Sequence, residues 1–272
     1  MAFKNLIIFS LCLSLILTNF TPATSQEVED EHEFTYEEDS ETGPAHWGEI
    51  HKDWEVCNKG ELQSPIDLSN RRVEVVSYLG QLKRSYRPSH AIMMNRGHDI
   101  MLKWEDGAGS IWVNETEYTL KQLHWHWPSE HTINGRRFTM ELHMVHESAD
   151  NKVAVVGILY KIGRADNFLH KMANYIRKIT DIVDGKEDVG IVDPREIRRG
   201  SRKYYRYIGS LTTPPCTEGV VWTMVGKIRT VSREQVRLLQ EAVHDDTENN
   251  ARPVQAIHDR MIQFFRPQKV QY

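Results

Sequence analysis

Cysteine is scarce in this sequence: 272 residues hold three, Cys12, Cys57 and Cys216. So few exclude a disulfide scaffold or a cysteine-rich metal fold, and a chain of this length buries a sizeable core without either. Long apolar runs are equally rare. One stretch, from about Leu6 to Leu17, qualifies, and it falls short of the roughly 20 apolar residues that a membrane-spanning helix needs. Basic clusters are missing along the chain. The formal net charge is −4 and cations occur only in short runs such as Arg198-Arg199, which argues against a nucleic-acid partner. No repeat or linker divides residues 46–272, so they read as one domain.

What is present begins at the N-terminus. Lys4, the apolar run and the small residues Ala23-Thr24-Ser25 follow the order of a secretory signal peptide over residues 1–25; the other reading of that run is a retained membrane anchor. Loss of this segment removes Cys12 and leaves an even pair. An oxidising compartment then favours a Cys57–Cys216 disulfide over two separate buried thiols. Asn114-Glu115-Thr116 is an N-glycosylation sequon. Residues 26–45 are rich in acids, from Glu27 to Glu41, and poor in apolar side chains. They are expected to form a solvated, disordered arm.

From Trp47 onward the pattern is globular. Alternation of aromatic and β-branched residues predicts strands over 98–104, 118–127, 138–147 and 153–162, and Asn134-Gly135 is a hairpin signal between two of them. A helix is predicted over 167–179, with Phe168, Leu169, Met172, Tyr175, Ile176 and Ile179 on one face. A second is predicted over 233–243, with Ser232 as N-cap and Gln235 completing a capping box. The expected fold class is mainly β: a large, twisted, mostly antiparallel central sheet with a few peripheral helices.

Five of the thirteen histidines fall between positions 124 and 146. Residues two apart on a strand share a face, so His124 and His126 project together, as do Glu141 and His143 on the next strand. If those strands are antiparallel neighbours, His143 joins the pair, whereas His146 faces the other way and reads as structural. Three imidazoles suit a catalytic zinc site, which keeps its fourth tetrahedral position open. Neutral donors leave the full +2 charge to acidify a bound water, a nucleophile for electrophilic carbon.

Several motifs in order resemble the alpha class of carbonic anhydrases, in particular secreted plant members: Gln63-Ser-Pro-Ile-Asp67, Asn95-Arg-Gly-His98, the stretch from His124 to His131, Glu141-Leu-His-Met-Val-His146 and Ser210-Leu-Thr-Thr-Pro-Pro215. The resemblance runs from about Trp47 to Pro267. It implies Zn2+ bound by His124, His126 and His143, with Gln122 and Glu141 orienting two of the rings. It implies that Thr212 hands a hydrogen bond to Glu130 and that Thr213 lies beside bicarbonate. Val145, Val155, Leu211 and Trp222 would form an apolar wall for carbon dioxide, and His98 would relay the proton to buffer. The resemblance also supports the Cys57–Cys216 bridge and implies cis peptides at Ser64-Pro65 and Pro214-Pro215. Two departures stand out: Glu49 is read at a position where many animal members carry a rim tyrosine, and Ala251 replaces a common tryptophan.

The implied activity is reversible hydration of carbon dioxide. Alternatives are a non-catalytic storage or binding protein of the same fold, for which a lost ligand would speak, and a zinc hydrolase for larger substrates, which would need a wider pocket. The expected partner is a small molecule, with no nucleic acid and no membrane span after signal cleavage. The expected location is the secretory route, leading to the cell-wall space or the plastid (chloroplast stroma). The sequence leaves oligomeric state open.

Overall fold

The computed structural model describes residues 33–182, 184–243 and 249–267; the expected signal segment and residues 26–32 of the acidic arm lie outside these. Ten strands form the main path of a 13-stranded sheet. They are β1 Val73–Val76, β2 Ser89–Asn95, β3 Ile100–Trp104, β4 Thr116–His126, β5 Met140–Glu147, β6 Val153–Ile162, β7 Lys186–Val192, β8 Tyr204–Ser210, β9 Glu218–Val225 and β10 Ile262–Phe265. Their order across the sheet is β1-β10-β8-β9-β6-β5-β4-β3-β2-β7. Most neighbours are antiparallel; β1 with β10, and β6 with both β9 and the short strand Arg229–Val231, are parallel.

Local chemistry sets the boundaries. β3 starts two residues later than the alternation predicts, because the Arg96 side chain binds the Asp99 carboxylate and Arg96 N–H donates to the Asp99 carbonyl at 3.0 Å, closing a turn that keeps His98 out of the strand. β4 ends before Pro128, which cannot donate to a ladder. Asn134-Gly135 has positive φ at both residues, as a two-residue hairpin turn requires. It closes a separate two-stranded ribbon, Thr132–Ile133 with Arg136–Arg137, instead of joining β4 to β5 directly.

Two helices, α1 Asn167–Lys178 and α2 Arg233–Ala242, cover one face of the sheet. Asp166 caps α1 by accepting from Phe168 and Leu169 N–H, and the Ser232–Gln235 capping box starts α2. Phe168, Leu169, Met172 and Ile176 of α1 pack with Leu239 of α2 on Leu123, Leu142 and Ile158 of the sheet. The opposite face carries a second apolar layer, with Val155, Tyr207, Leu211 and Trp222 at its centre.

Part of the expected acidic arm is packed against the domain. Residues 33–45 are not a solvated tail throughout: Phe34 and Tyr36 are buried with Trp47, Trp54 and the Cys57–Cys216 bridge. Burying a Phe side chain stabilises by about 1.5–3 kcal/mol. The acids of the segment meanwhile point to solvent, so local charge does not prevent docking.

Candidate active site

The site begins with a bulge. In β4, Tyr118 and Leu120 face the helix-side core, and so do Leu123 and Trp125. Strict alternation cannot give both pairs one face. The register against β5 shifts between Leu120 and Gln122, and the extra residue, Lys121, changes the phase. Gln122, His124 and His126 are thereby turned to the opposite face. Across the ladder His124 pairs with His143 of β5, which places three rings together with centroids 4.6–5.2 Å apart.

One nitrogen of each ring is held by an acceptor. His124 Nδ1 donates to Gln122 Oε1 at 2.9 Å, His126 Nδ1 to the Asn250 carbonyl at 2.7 Å, and His143 Nε2 to Glu141 Oε1 at 2.7 Å. The opposite nitrogens are His124 Nε2, His126 Nε2 and His143 Nδ1. The three histidines offer donor atoms that all lie within 4.8 Å of one another. Asn250 has no sequence signal. Its side chain fixes it in place by accepting from Trp127 N–H and donating to the carbonyls of His98 and Trp125.

Burial, the other two rings and Arg96 hold His124 well below the usual imidazole range, so it is neutral and its lone pair is available. Burial also acts to lower His126, but Glu130, the Asn250 carbonyl and Asp99 outweigh it and raise the group. Burial would raise Glu141, yet His131 and His143 hold it well below the carboxylate range. Among the described residues, His126 Nε2 and Glu130 Oε2 are buried without a hydrogen-bond partner and lie 3.6 Å apart. Buried polar atoms are ordinarily paired, and a cation at the meeting point of the rings would satisfy His126 Nε2. The donor set, three imidazole nitrogens, fits zinc.

Glu130 Oε1 accepts from Arg252 N–H at 3.0 Å. Arg252 is itself buried and donates to Gln63 Oε1, Ser64 O and Cys57 O, and burial lowers its pKa to about 10. Sequence reasoning missed this residue, as it missed His131 and Tyr207. His131 donates through Nδ1 to Glu141 Oε1 at 2.7 Å and accepts from the Tyr207 hydroxyl at 2.6 Å. The hydroxyl of Tyr207 is held well above its usual pKa by burial, so it remains a donor.

Thr212 and Thr213 are buried in the loop after β8. Leu211 N–H bonded to Thr217 O at 3.0 Å, and Cys216 N–H bonded to Thr213 O at 2.8 Å, close that loop. Cys57–Cys216 ties it to the N-terminal segment, and Ser64-Pro65, Pro214-Pro215 and Trp127-Pro128 are cis. Thr213 Oγ1 is buried without a partner among the described residues. Val145, Val155 and Trp222 occupy one row across β5, β6 and β9, next to Leu211 in the same layer. This row adjoins the histidine row, because Gln122 is the ladder partner of Val145.

His98 is not a free rim residue. It is 8% exposed, its Nε2–H donates to the Phe34 carbonyl at 2.6 Å, and its ring lies 5.3 Å from Phe34 and 5.4 Å from Tyr36. The tyrosine beside His98 is therefore Tyr36. Glu49, read as occupying a rim tyrosine position, is exposed and bonds His46 at 3.1 Å. His146 lies on the helix side, accepting from Tyr86 at 2.8 Å and donating to Ala154 O at 3.1 Å. Burial lowers it to about 3, so it is a neutral core residue. Asn114 is exposed at the tip of the turn into β4.

The model of the eukaryotic-type carbonic anhydrase family matches residues 42–266. Alpha carbonic anhydrase 7 of Arabidopsis thaliana is 59% identical over 241 residues, covering 89% of this chain and 88% of that protein. Dioscorin complexed with ascorbate superposes with a TM-score of 0.84 at 44% identity, covering 87% of this chain and 99% of that one. An alpha-carbonic anhydrase from Thermovibrio ammonificans, in complex with sulfanilamide, gives 0.77 at 32% identity, covering 85% and 98%. Sequence and fold agree over nearly all the described residues, and the chain belongs to the eukaryotic-type carbonic anhydrase family.

Proposed function

We propose that the protein is a zinc enzyme for the reversible hydration of carbon dioxide to bicarbonate and a proton. The observation that carries this reading is the convergence of three ring nitrogens, each backed by an acceptor on the ring's far side. His124, His126 and His143 would hold zinc there, which would supply a Lewis acid whose charge imidazole donors, adding no negative charge, leave undiminished.

The chain's own groups do the rest. Gln122, Asn250 and Glu141 fix ring orientation and tautomer. Glu130 Oε2, which has no hydrogen-bond partner among the described residues, is available to accept from the Thr212 hydroxyl, which would leave Thr212 Oγ1 to accept from the attacking nucleophile and so aim it. Thr213 Oγ1 offers a hydrogen bond to bicarbonate. Carbon dioxide has no net dipole, and the wall of Val145, Val155, Leu211 and Trp222 holds it without competing for the donors. His98 relays the product proton outward once Nε2 releases the Phe34 carbonyl.

The non-catalytic alternative is disfavoured by the intact set of three rings with their acceptors. The disulfide is compatible with passage through the secretory route, to the cell-wall space or the plastid, and with a glycan on Asn114. Zinc analysis with stopped-flow hydration tests the proposal. The parent should hold one zinc per chain and hydrate carbon dioxide, and His124→Ala should lose both. Full activity in that variant overturns it.

A further inference from the structure

The loop between β7 and β8 carries Arg198, Arg199, Arg202 and Lys203, and cations from elsewhere in the sequence join it. Arg84 is near enough to Arg199 to act on its charge. Lys227 and Arg229 lie against Gly200, where an added Cβ would come within 3.1 Å of both. None of these cations makes an ion pair among the described residues; the lysine and arginine pairs lie elsewhere. Arg199 and Arg229 are half-buried, and the Nε of each is buried without a partner. Burial first, and then Arg84, act against the Arg199 charge. A part-buried guanidinium with no counter-charge is costly, and an anion would offset that cost.

Two pockets flank the loop. One is lined by Arg199, Ser201, Arg202 and Lys203 and contains no acid. The other is lined by Arg164, Arg198 and Arg229. Its two acids are already engaged: Asp166 caps α1, and Glu196 pairs with Lys171 at 2.7 Å.

We propose that this face binds an extended polyanion of the carboxylate-bearing polysaccharide class. A small oxyanion could occupy only one of the two pockets, whereas a polymer of uronate units spans both. No large apolar residue in 198–203, 227–229 or 83–84 is exposed, and Leu82, Tyr204 and Val225 of the first pocket are buried or half-buried, so the face has no exposed ring for stacking bases and no exposed apolar edge for a bilayer. The disulfide fits an oxidising compartment such as the cell exterior. The site is separate from the candidate active site, since the seven residues of β8 put about 20 Å between this loop and Leu211.

The test measures binding of the full chain to polygalacturonate at about 50 and 200 mM salt, with inorganic phosphate, dextran, anionic vesicles and single-stranded DNA as separate arms. Polygalacturonate should bind at low salt and weaken about tenfold or more at high salt. The combined variant Arg199→Gln, Arg202→Gln, Lys203→Gln should bind at least tenfold more weakly with hydration activity unchanged. A second variant, Arg202→Glu with Lys203→Glu, alters only exposed side chains and should show the same loss. Absence of polygalacturonate binding at low salt overturns the proposal, as does parental affinity in a folded variant. Phosphate, vesicles, DNA or dextran binding as tightly as polygalacturonate also overturns it.

Discussion

Replacing Glu141 with Gln removes a charge from a fully buried position whose oxygens accept three hydrogen bonds: His131 N–H at 2.8 Å, and His131 Nδ1 and His143 Nε2 at 2.7 Å. The amide oxygen of Gln can keep the two ring bonds. Its NH2 then faces His131 N–H, donor to donor. Leaving buried groups unsatisfied costs about 1–3 kcal/mol, and the ring bonds lose their charge-assisted character, so the metal-free variant should be less stable by about 3 kcal/mol. Loss of such a ring-orienting partner should weaken zinc about 10–100-fold. The pH dependence is also fixed. Glu141 is held below its ordinary value of 4.5 by His131 and His143 against the effect of burial. Its contribution is therefore complete above that value and is lost as pH falls through the lower folded pKa. Denaturant titrations of metal-stripped parent and variant at pH 7 and in acid, with chelator competition for zinc, test this. A stability gap that is absent at pH 7 or does not narrow in acid, or zinc affinity within twofold of the parent, refutes the reasoning.

The other predictions concern the frame, the wall and the relay. Converting both Cys57 and Cys216 to Ser removes a link between residues 159 apart, for which chain entropy gives up to ~5 kcal/mol; denaturant unfolding should show a loss of several kcal/mol, and an unchanged midpoint would contradict it. Ser232→Ala breaks the α2 capping box and should cost about 1 kcal/mol, with hydration kinetics untouched. Val145→Phe fills the half-buried end of the apolar row, so kcat/KM should fall roughly tenfold or more through misplaced substrate while zinc content stays at parental level. His98→Ala should lower kcat in weak buffer by about 10²-fold, leave kcat/KM near the parent and recover in imidazole buffer; equal turnover in all buffers would remove His98 from the relay.

The meeting of His124, His126 and His143 was legible because most of its signal is local, period two on β4 and the same period on β5, although the turn at Asn134-Gly135 belongs to a separate ribbon. Both helices were legible for a similar reason: the apolar face of α1 repeats from turn to turn, and Ser232 and Gln235 act on residues within three positions of themselves. What failed to show was long-range. Asn250 and Arg252 reach His126 and Glu130 from more than a hundred residues away, and no spacing rule marks them. Phe34 and Tyr36 were hidden by their acidic neighbours, although two aromatic rings suffice to dock a segment against Trp47. That Tyr36 stands beside His98 was hidden in the same way. The bulge at Lys121 was invisible, yet without that phase change the histidines would point into the helix-side core.

X-ray absorption on the purified protein tests the central claim most directly. One zinc per chain with three imidazole nitrogens and one further light donor is the predicted result, altered when His124, His126 or His143 is replaced. No bound metal, a sulfur or protein carboxylate ligand, or a shell with no exchangeable position would contradict it.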